Sequence, residues 1–347
     1  MKALVTGATG FIGGNLVKAL LERGYAVRAL LRPASDPRNI AGLDVELAFG
    51  DLRDIPSLER ALAGCDYLFH VAAVYTFWTP DPDRVFETNV TGTENVLAAA
   101  RRAGVKKVVY TSTESTVGMP ETGGMGTEAL TIDPSYLAGA YKQSKYAAER
   151  VALHMARDGL PLVVVNPTTP VGPGDVKPTP TGQIVVDFIN GKMPAFIDTG
   201  LNLIDVRDVA AGHVLAVEKG RVGERYILGH ENLSLEEILR MLGRITGLKA
   251  PSIRIPIWLA LGAAYVDEYI VGRVRPGPPR IPIAAVKAGR RPRHFDCSKA
   301  VQELGLPQTP VEEALAEAVK WFGQHGYSDR QPTVIEEGNF DTTNANP

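Results

Sequence analysis

Tyr141 and Lys145 stand four residues apart in Tyr141-Lys142-Gln143-Ser144-Lys145. On a helix that spacing places both side chains on one face. An ammonium beside a phenol favours the phenolate and lowers the phenol's pKa, and a phenol tuned in this way can give or take a proton near neutral pH. The other ten of the eleven tyrosines have no lysine four places on. A surface pair on an amphipathic helix would share the spacing, so the pair gains meaning only from what surrounds it.

A second set lies at the N-terminus, in Thr6-Gly7-Ala8-Thr9-Gly10-Phe11-Ile12-Gly13-Gly14. Gly7 permits a tight turn, Gly10 lets the backbone approach a pyrophosphate, and Gly13 lets a helix pack close to the preceding strand. The helix start, with Phe11 and Ile12, then offers free N–H groups and a positive dipole end to phosphates. This predicts a nicotinamide dinucleotide site. An acidic residue ending the second strand would bind the ribose hydroxyls of NAD; the sequence there is Leu30-Leu31-Arg32-Pro33. Arg32 suits a 2′-phosphate, which favours NADP over NAD, with Arg32 as a solvated loop residue the competing reading.

The elements that must position these residues alternate. Strands are expected at Ala3 to Thr6, Val27 to Leu31, Val45 to Ala48, Tyr67 to His70, Lys107 to Thr111 and Leu162 to Asn166. Helices are expected at Phe11 to Arg23, Ile55 to Leu62, Arg84 to Ala103 and Ser135 to Arg157. Short apolar strands separated by helices predict an α/β, doubly wound parallel sheet of the Rossmann kind. Past Pro167, prolines and glycines cluster and the alternation thins. We therefore expect a dinucleotide-binding domain over 1–166, with 203–229 packing back on it through a helix capped by Asp205. A smaller, sequence-interleaved α+β substrate lobe is expected over 167–202 and 230–330, and a flexible tail over 331–347.

Composition excludes other classes. Of 347 residues 45% are hydrophobic and 22% charged, with a formal net charge of -2, which gives no support for a nucleic-acid partner. Cys65 and Cys297 form no disulfide framework, and the six histidines show no metal-ligand spacing, so no metal is expected. No secretory leader or transmembrane segment is expected, and the reading is cytoplasmic. The apolar stretch from Ile253 to Val271 contains Pro256, Asp267 and Glu268 and reads as an amphipathic or buried helix from near Pro256. The basic run Arg273 to Arg293, with Arg275, Arg280, Arg290 and Arg291, reads as a solvated face, with a substrate diphosphate or an anionic membrane surface as the functional alternatives. Tyr75, Phe77 and Trp78 follow the fourth strand, where a pocket mouth is expected. They read equally as an aromatic substrate wall or as packing under a loop.

Together these features resemble the extended short-chain dehydrogenase/reductase family over about residues 1 to 325. Thr6, Gly7, Gly10 and Gly13 match its glycine motif, and Tyr141 and Lys145 its Tyr-x-x-x-Lys. The segment Thr111-Ser112-Thr113-Glu114-Ser115-Thr116-Val117-Gly118 occupies the place of its catalytic hydroxyl, which implies Thr113, with Ser112 as rival. Gly50-Asp51-Leu52 resembles the adenine-contacting segment, and His70-Val71-Ala72-Ala73 the strand end flanking the cofactor. Asn89-Val90-x-Gly92-Thr93-x-Asn95 is a further signature, and the resemblance also gives Pro167 and Thr169 to the cofactor.

Within the family the chain looks most like dihydroflavonol-4-reductase-like proteins and hopanoid-associated sugar epimerases, the latter through Asn166 to Gly182 and Tyr226 to Leu233. Asp205 departs from the pattern, standing where many relatives have histidine. The resemblance implies that Thr113 and Tyr141 hold a substrate carbonyl, Tyr141 protonates its oxygen, and Lys145 holds the nicotinamide ribose. The expected function is NADPH-dependent reduction of the carbonyl of a small, ring-containing substrate. An epimerase or dehydratase with tightly bound NAD, and a non-catalytic dinucleotide-sensing scaffold, are the alternatives; a homodimer is a candidate assembly.

Overall fold

The computed structural model describes residues 1–121, 123–271, 279, 282–290 and 292–328. Strands β1 (Lys2–Thr6), β2 (Ala26–Leu31), β3 (Glu46–Phe49), β4 (Tyr67–His70), β5 (Lys107–Thr111) and β6 (Leu162–Pro167) alternate with helices α1 (Phe11–Glu22), α2 (Ile55–Leu62), α3 (Pro82–Phe86), α4 (Gly92–Ala103) and α5 (Gly139–Arg157). There follow β7 (Thr169–Val171), α6 (Pro180–Ile189), β8 (Ala195–Ile197), β9 (Gly200–Asp205), α7 (Val206–Lys219), β10 (Arg225–Leu228), β11 (Glu231–Ser234), α8 (Leu235–Thr246), β12 (Ile253–Ile255), α9 (Ile257–Val266), α10 (Ile283–Ala288) and α11 (Val311–Gln324).

The main sheet has seven strands in the order β10-β6-β5-β4-β1-β2-β3, all parallel. A parallel sheet covered on both faces needs apolar residues at every strand position, and the side chains divide accordingly. Ala3, Val5, Val109, Val163 and Val165 face α1 and α7. Leu4, Leu68, Val108, Leu162 and Val164 face α2, α4 and α5. This is the expected α/β Rossmann architecture.

Beyond β6 the chain leaves the sheet and returns. β9 joins β7 and β11 in a three-stranded sheet, α7 packs on α1, and β10 completes the edge of the main sheet. Asp205 caps α7 by accepting from the Arg207 amide at 2.7 Å. A separate core joins α6, α8 and α11 through Phe188, Leu239, Leu242, Leu315 and Phe322. β8 pairs with β12 beside it.

Two helices differ from the sequence expectation. The long helix expected from Arg84 to Ala103 starts at Pro82 and is interrupted by a π-helical turn, Glu87–Thr91, between α3 and α4. The widened turn presents Asn89 to its partners described below, a common use of such bulges. The helix expected from Ser135 starts only at Gly139 (φ +83°), after a 3-10 turn at Pro134–Tyr136. The tail expected at 331–347 lies outside the described residues, as do Arg273, Arg275, Arg280 and Arg291 of the basic run. Among the described residues no helix is long and apolar enough to cross a membrane, and no group of three or more His, Cys, Asp or Glu could hold a metal ion.

Candidate active site

The carboxyl ends of the main strands converge where β1 lies between β2 and β4, the point at which strand order reverses and parallel α/β sheets open a ligand crevice. The glycine turn fills this place. Gly7 has φ +72°, and a Cβ there would stand 2.7 Å from the Ala72 amide nitrogen; one on Gly13 would stand 2.0 Å from the Gly7 carbonyl oxygen. Gly10 precedes α1 in extended conformation without a side-chain cap, so the first-turn amides of α1 at Phe11 and Ile12 are not claimed by a capping side chain. A glycine-lined, uncapped helix start at a switch point fits a dinucleotide pyrophosphate.

Neighbouring segments are stitched to the turn. The Thr6 hydroxyl accepts from the Val71 and Ala72 amides, both at 3.2 Å, and pairs with His70 Nδ1 at 2.7 Å. Val71 and Ala72 are thereby held against Gly7, with Ala73 next in the chain. Burial pushes His70 down to about 3, with the Lys145 charge adding to it, so it is a neutral clamp between Thr6 and Thr93. Asn39 donates to the Thr9, Gly10 and Gly174 carbonyls, and Asn15 to Phe11 and Pro173, tying the loop after β7 to the glycine turn.

Arg32 is exposed just past β2. It is near enough to Asp51, past β3, to help lower that carboxyl, though Arg53, bonded at 2.9 Å, dominates. Leu52 is buried under Gly92, and its carbonyl accepts from Asn95. Pro167 ends β6 opposite Leu228, and Thr169 opens β7 opposite Leu203.

Tyr141 and Lys145 lie on one face of α5, as their spacing predicts. The Thr113 hydroxyl, which pairs with Ser115 Oγ at 3.1 Å, is close enough to the Tyr141 phenol to help hold its pKa down. Ser112 turns instead toward Thr116, at 3.5 Å. Of the two hydroxyls, Thr113 is the one whose influence on the Tyr141 phenol is resolved.

The expected Tyr-Lys electrostatics differ. Lys145 Nζ donates to the Thr111 carbonyl at 2.7 Å and the Tyr110 hydroxyl at 3.1 Å, and lies 4.7 Å from the Tyr110 ring centre. The Tyr141 phenol is raised, not lowered: burial is the main cause, Glu114 adds, and only the Thr113 hydroxyl opposes. Lys145 is itself pushed down to about 8 by burial, against the pull of Glu149.

Several supporting residues were not singled out for a role from the sequence. Asn89, known there only as part of a signature, donates to Ser144 Oγ at 3.0 Å and the Val74 carbonyl at 3.1 Å, and accepts from the Val74 amide at 2.8 Å. It fixes the exit of β4 to α5. Beneath Thr113, Asn166 Nδ2 donates to the Thr113 carbonyl at 3.0 Å and to Glu149 Oε2 at 2.8 Å. Arg225 closes that network on Glu149 at 3.0 Å. Glu149 sits four residues past Lys145 on α5, a carboxylate among alanines, and that placement was its one visible signal.

Glu114, which faces Tyr141, pairs with Arg293 at 2.8 Å across 179 positions. Arg293, expected with the solvated basic face, is therefore a largely buried wall residue. Of the aromatic candidates, the Tyr75 ring lies 4.7 Å from that of Tyr141 and 5.9 Å from Phe77; Trp78 is half-buried nearby in sequence.

The model of the NAD dependent epimerase/dehydratase family matches residues 3–229, well over half of the chain. The chain belongs to this family. It is an NAD(P)-dependent oxidoreductase of the extended short-chain dehydrogenase/reductase type. A Synechocystis sp. protein provisionally named dihydroflavonol 4-reductase is 50% identical over 331 residues, covering 94% of this chain and 96% of that protein. Sterol demethylase protein B of Methylococcus capsulatus is 38% identical, covering 94% and 99%. The crystal structure of PA4631, a nucleoside-diphosphate-sugar epimerase from Pseudomonas aeruginosa, superposes with a TM-score of 0.79 at 27% identity, covering 95% of this chain and 99% of that one. Reductases and sugar-modifying enzymes thus both share this fold.

Proposed function

We propose that this oxidoreductase uses NADPH to reduce a carbonyl of a small, ring-containing, largely apolar substrate to the alcohol. The observation that carries the reading is the buried Tyr141 phenol 4.7 Å from the Tyr75 ring, with the Thr113 hydroxyl acting on the same phenol. It gives a carbonyl oxygen two hydroxyl partners and gives the ring bearing it an aromatic neighbour. The nicotinamide, when bound, supplies the hydride. Thr113 and Tyr141 orient the carbonyl oxygen by hydrogen bonds, and Tyr141 gives it a proton as charge develops there. A phenol held above its ordinary range keeps that proton until the oxygen demands it. Lys145 provides an ammonium for the nicotinamide ribose on the same helical face.

Gly7, Gly10, Phe11, Ile12 and Gly13 cradle the pyrophosphate, Asp51 and Leu52 flank the adenine, and Val71, Ala72, Ala73, Pro167 and Thr169 flank the nicotinamide half. Arg32 pairs with the 2′-phosphate, since no carboxylate ends β2 to repel it. Residues 1–166 with 203–229 serve the cofactor, and 167–202 with 230–330 serve the substrate. The similarity to a protein provisionally named a reductase supports the direction of the reaction.

Oxidation of NADPH and of NADH, followed by absorbance with a panel of cyclic ketones, tests the reading. We expect NADPH to be consumed and NADH to be used at least tenfold less well. Protein that purifies with bound NAD and interconverts nucleotide sugars, leaving ketones untouched, would assign it to the epimerases instead.

A further inference from the structure

Helix α5 carries three buried charged residues, Lys142, Lys145 and Glu149. Their spacing, i, i+3 and i+7, puts them on one stripe of the helix. Two of them have partners at or just past the end of β5. Lys145 donates to the Thr111 carbonyl at 2.7 Å, and Glu149 accepts from the Thr116 hydroxyl at 2.7 Å. Lys142, next to Tyr141 and one turn from Lys145, is only 8% exposed, yet among the described residues no hydrogen bond or ion pair reaches its ammonium. A charge taken out of water is ordinarily paired, because an unpaired one is costly.

The charges around Lys142 do not balance. Burial pushes its pKa down, Glu114 holds it up, and Arg293 adds to the fall. Glu114 is already committed to Arg293, whose Nη2 lies 2.8 Å from its carboxylate and donates to its carbonyl at 3.0 Å. Arg293 Nε is buried without an acceptor. Two cations therefore share one carboxylate, and both keep donors unused. Glu114 also acts on the Tyr141 phenol, so the cluster lies at the reacting end of the site. Asp175, a further acid of this side, acts on Tyr75 and is held by the Thr179 amide and hydroxyl, both at 2.8 Å.

We propose that Lys142, together with Arg293, binds an acidic group of the substrate, which makes the substrate class a cyclic ketone bearing one carboxylate near its carbonyl. A single uncompensated positive charge matches a carboxylate, whereas a diphosphate would bring two or more negative charges to it. A site whose own buried polar group is left unpaired by an analogue rejects that analogue strongly. The ketone rests on the carbonyl-reductase reading above; the anion site stands alone.

The full chain with NADPH is to be given 3-oxocyclohexanecarboxylate or its methyl ester. We expect kcat/KM for the acid to exceed that for the ester by at least about tenfold. Lys142→Met should remove this preference, and Lys142→Arg should restore part of it. NADPH affinity, read by cofactor fluorescence, should stay unchanged in both variants, which shows that they are folded. Calorimetric titration of the NADPH complex with cyclohexanecarboxylate, which has no ketone to reduce, reads the anion site by itself. We expect saturable binding that cyclohexanecarboxamide does not share and that Lys142→Met loses. No binding of the carboxylate, or equal reduction of acid and ester, overturns the proposal and leaves the reductase reading standing. So does binding of uridine diphosphate that Lys142→Met abolishes while cyclohexanecarboxylate does not bind, which would give the cations to a diphosphate. Carboxylate binding that depends on Lys142, without reduction of any ketone, leaves the anion site standing and sinks only the reductase reading.

Discussion

On the cofactor side of the cleft the contacts come from the backbone: a turn with φ +72° at Gly7, a helix start without a cap, and strand ends held by the Thr6 hydroxyl. On the substrate side they come from side chains brought together across the chain: Tyr75 against Tyr141, Asn89 against Ser144, Glu114 against Arg293. A backbone site demands particular residues at fixed local spacing, because an added Cβ collides. A side-chain site can be reached from many spacings and so can diverge while the fold stays the same. That difference accounts for one fold serving both reductases and sugar epimerases among the similar proteins.

The sharpest way to separate the two sides is Tyr141→Phe. It removes one oxygen from the substrate side and leaves the glycine turn untouched. Turnover should fall by roughly 10²–10⁴-fold, while NADPH affinity by fluorescence titration stays within a factor of about three. Near-normal turnover would reject Tyr141 as the proton donor, and lost cofactor binding would show the two sides to be one unit.

Next in size is the support beneath Thr113. Arg225→Met leaves the buried Glu149 carboxylate without its cation, which costs about 3–5 kcal/mol in comparable buried pairs. Chemical denaturation should show that loss, and the double variant with Glu149→Gln should recover a large part of it. If Arg225→Met alone is neutral, the network is not what holds the Thr113 loop.

The same contrast explains what was legible in the sequence. The alternation of strands and helices, the helix Ile55–Leu62 and the cap at Asp205 follow from local pattern, and the structure has them where expected. The placement of Tyr141 and Lys145 on one face follows from spacing alone. The π-helical turn at Glu87–Thr91 did not follow, because it exists to serve Asn89's partners at Val74 and Ser144, 15 and 55 positions away. Arg293 read as part of a solvated basic run, because only the folded chain brings it to Glu114. The phenol's shift ran opposite to the sequence expectation for a related reason. Spacing placed Lys145 on the same face but could not show that Thr111 and Tyr110 hold its ammonium.

That reassignment gives a pH test. Burial lowers Lys145 to about 8, whereas Tyr141 is shifted upward, so the first proton lost from the pair on raising pH belongs to Lys145. The ammonium is present below pH 8 and lost above it. The ratio kcat/KM, which reports the free enzyme, should therefore fall through pH 8, by about tenfold per unit at the limit. Glu149→Gln should move this limb to lower pH, because Glu149 is the charge that holds the ammonium up. A limb that stays put in that variant would assign it to another group.

The smallest effect is expected where the cofactor side does depend on a side chain. Arg32 is exposed, with the Arg53-paired Asp51 as a charged neighbour, so its contact with a 2′-phosphate would be made partly in water. Such a charge-assisted contact contributes about 1.5–3 kcal/mol at most, and solvent screening reduces it. Arg32→Ala should therefore raise KM for NADPH by about tenfold and leave KM for NADH unchanged, since NADH lacks the phosphate. The two cofactors make this an internal control: a rise for both would place Arg32 on the shared adenosine, and no rise for either would return it to the solvated loop. The second outcome would also show that the backbone carries the cofactor side without help from Arg32, which would widen the contrast with the substrate side.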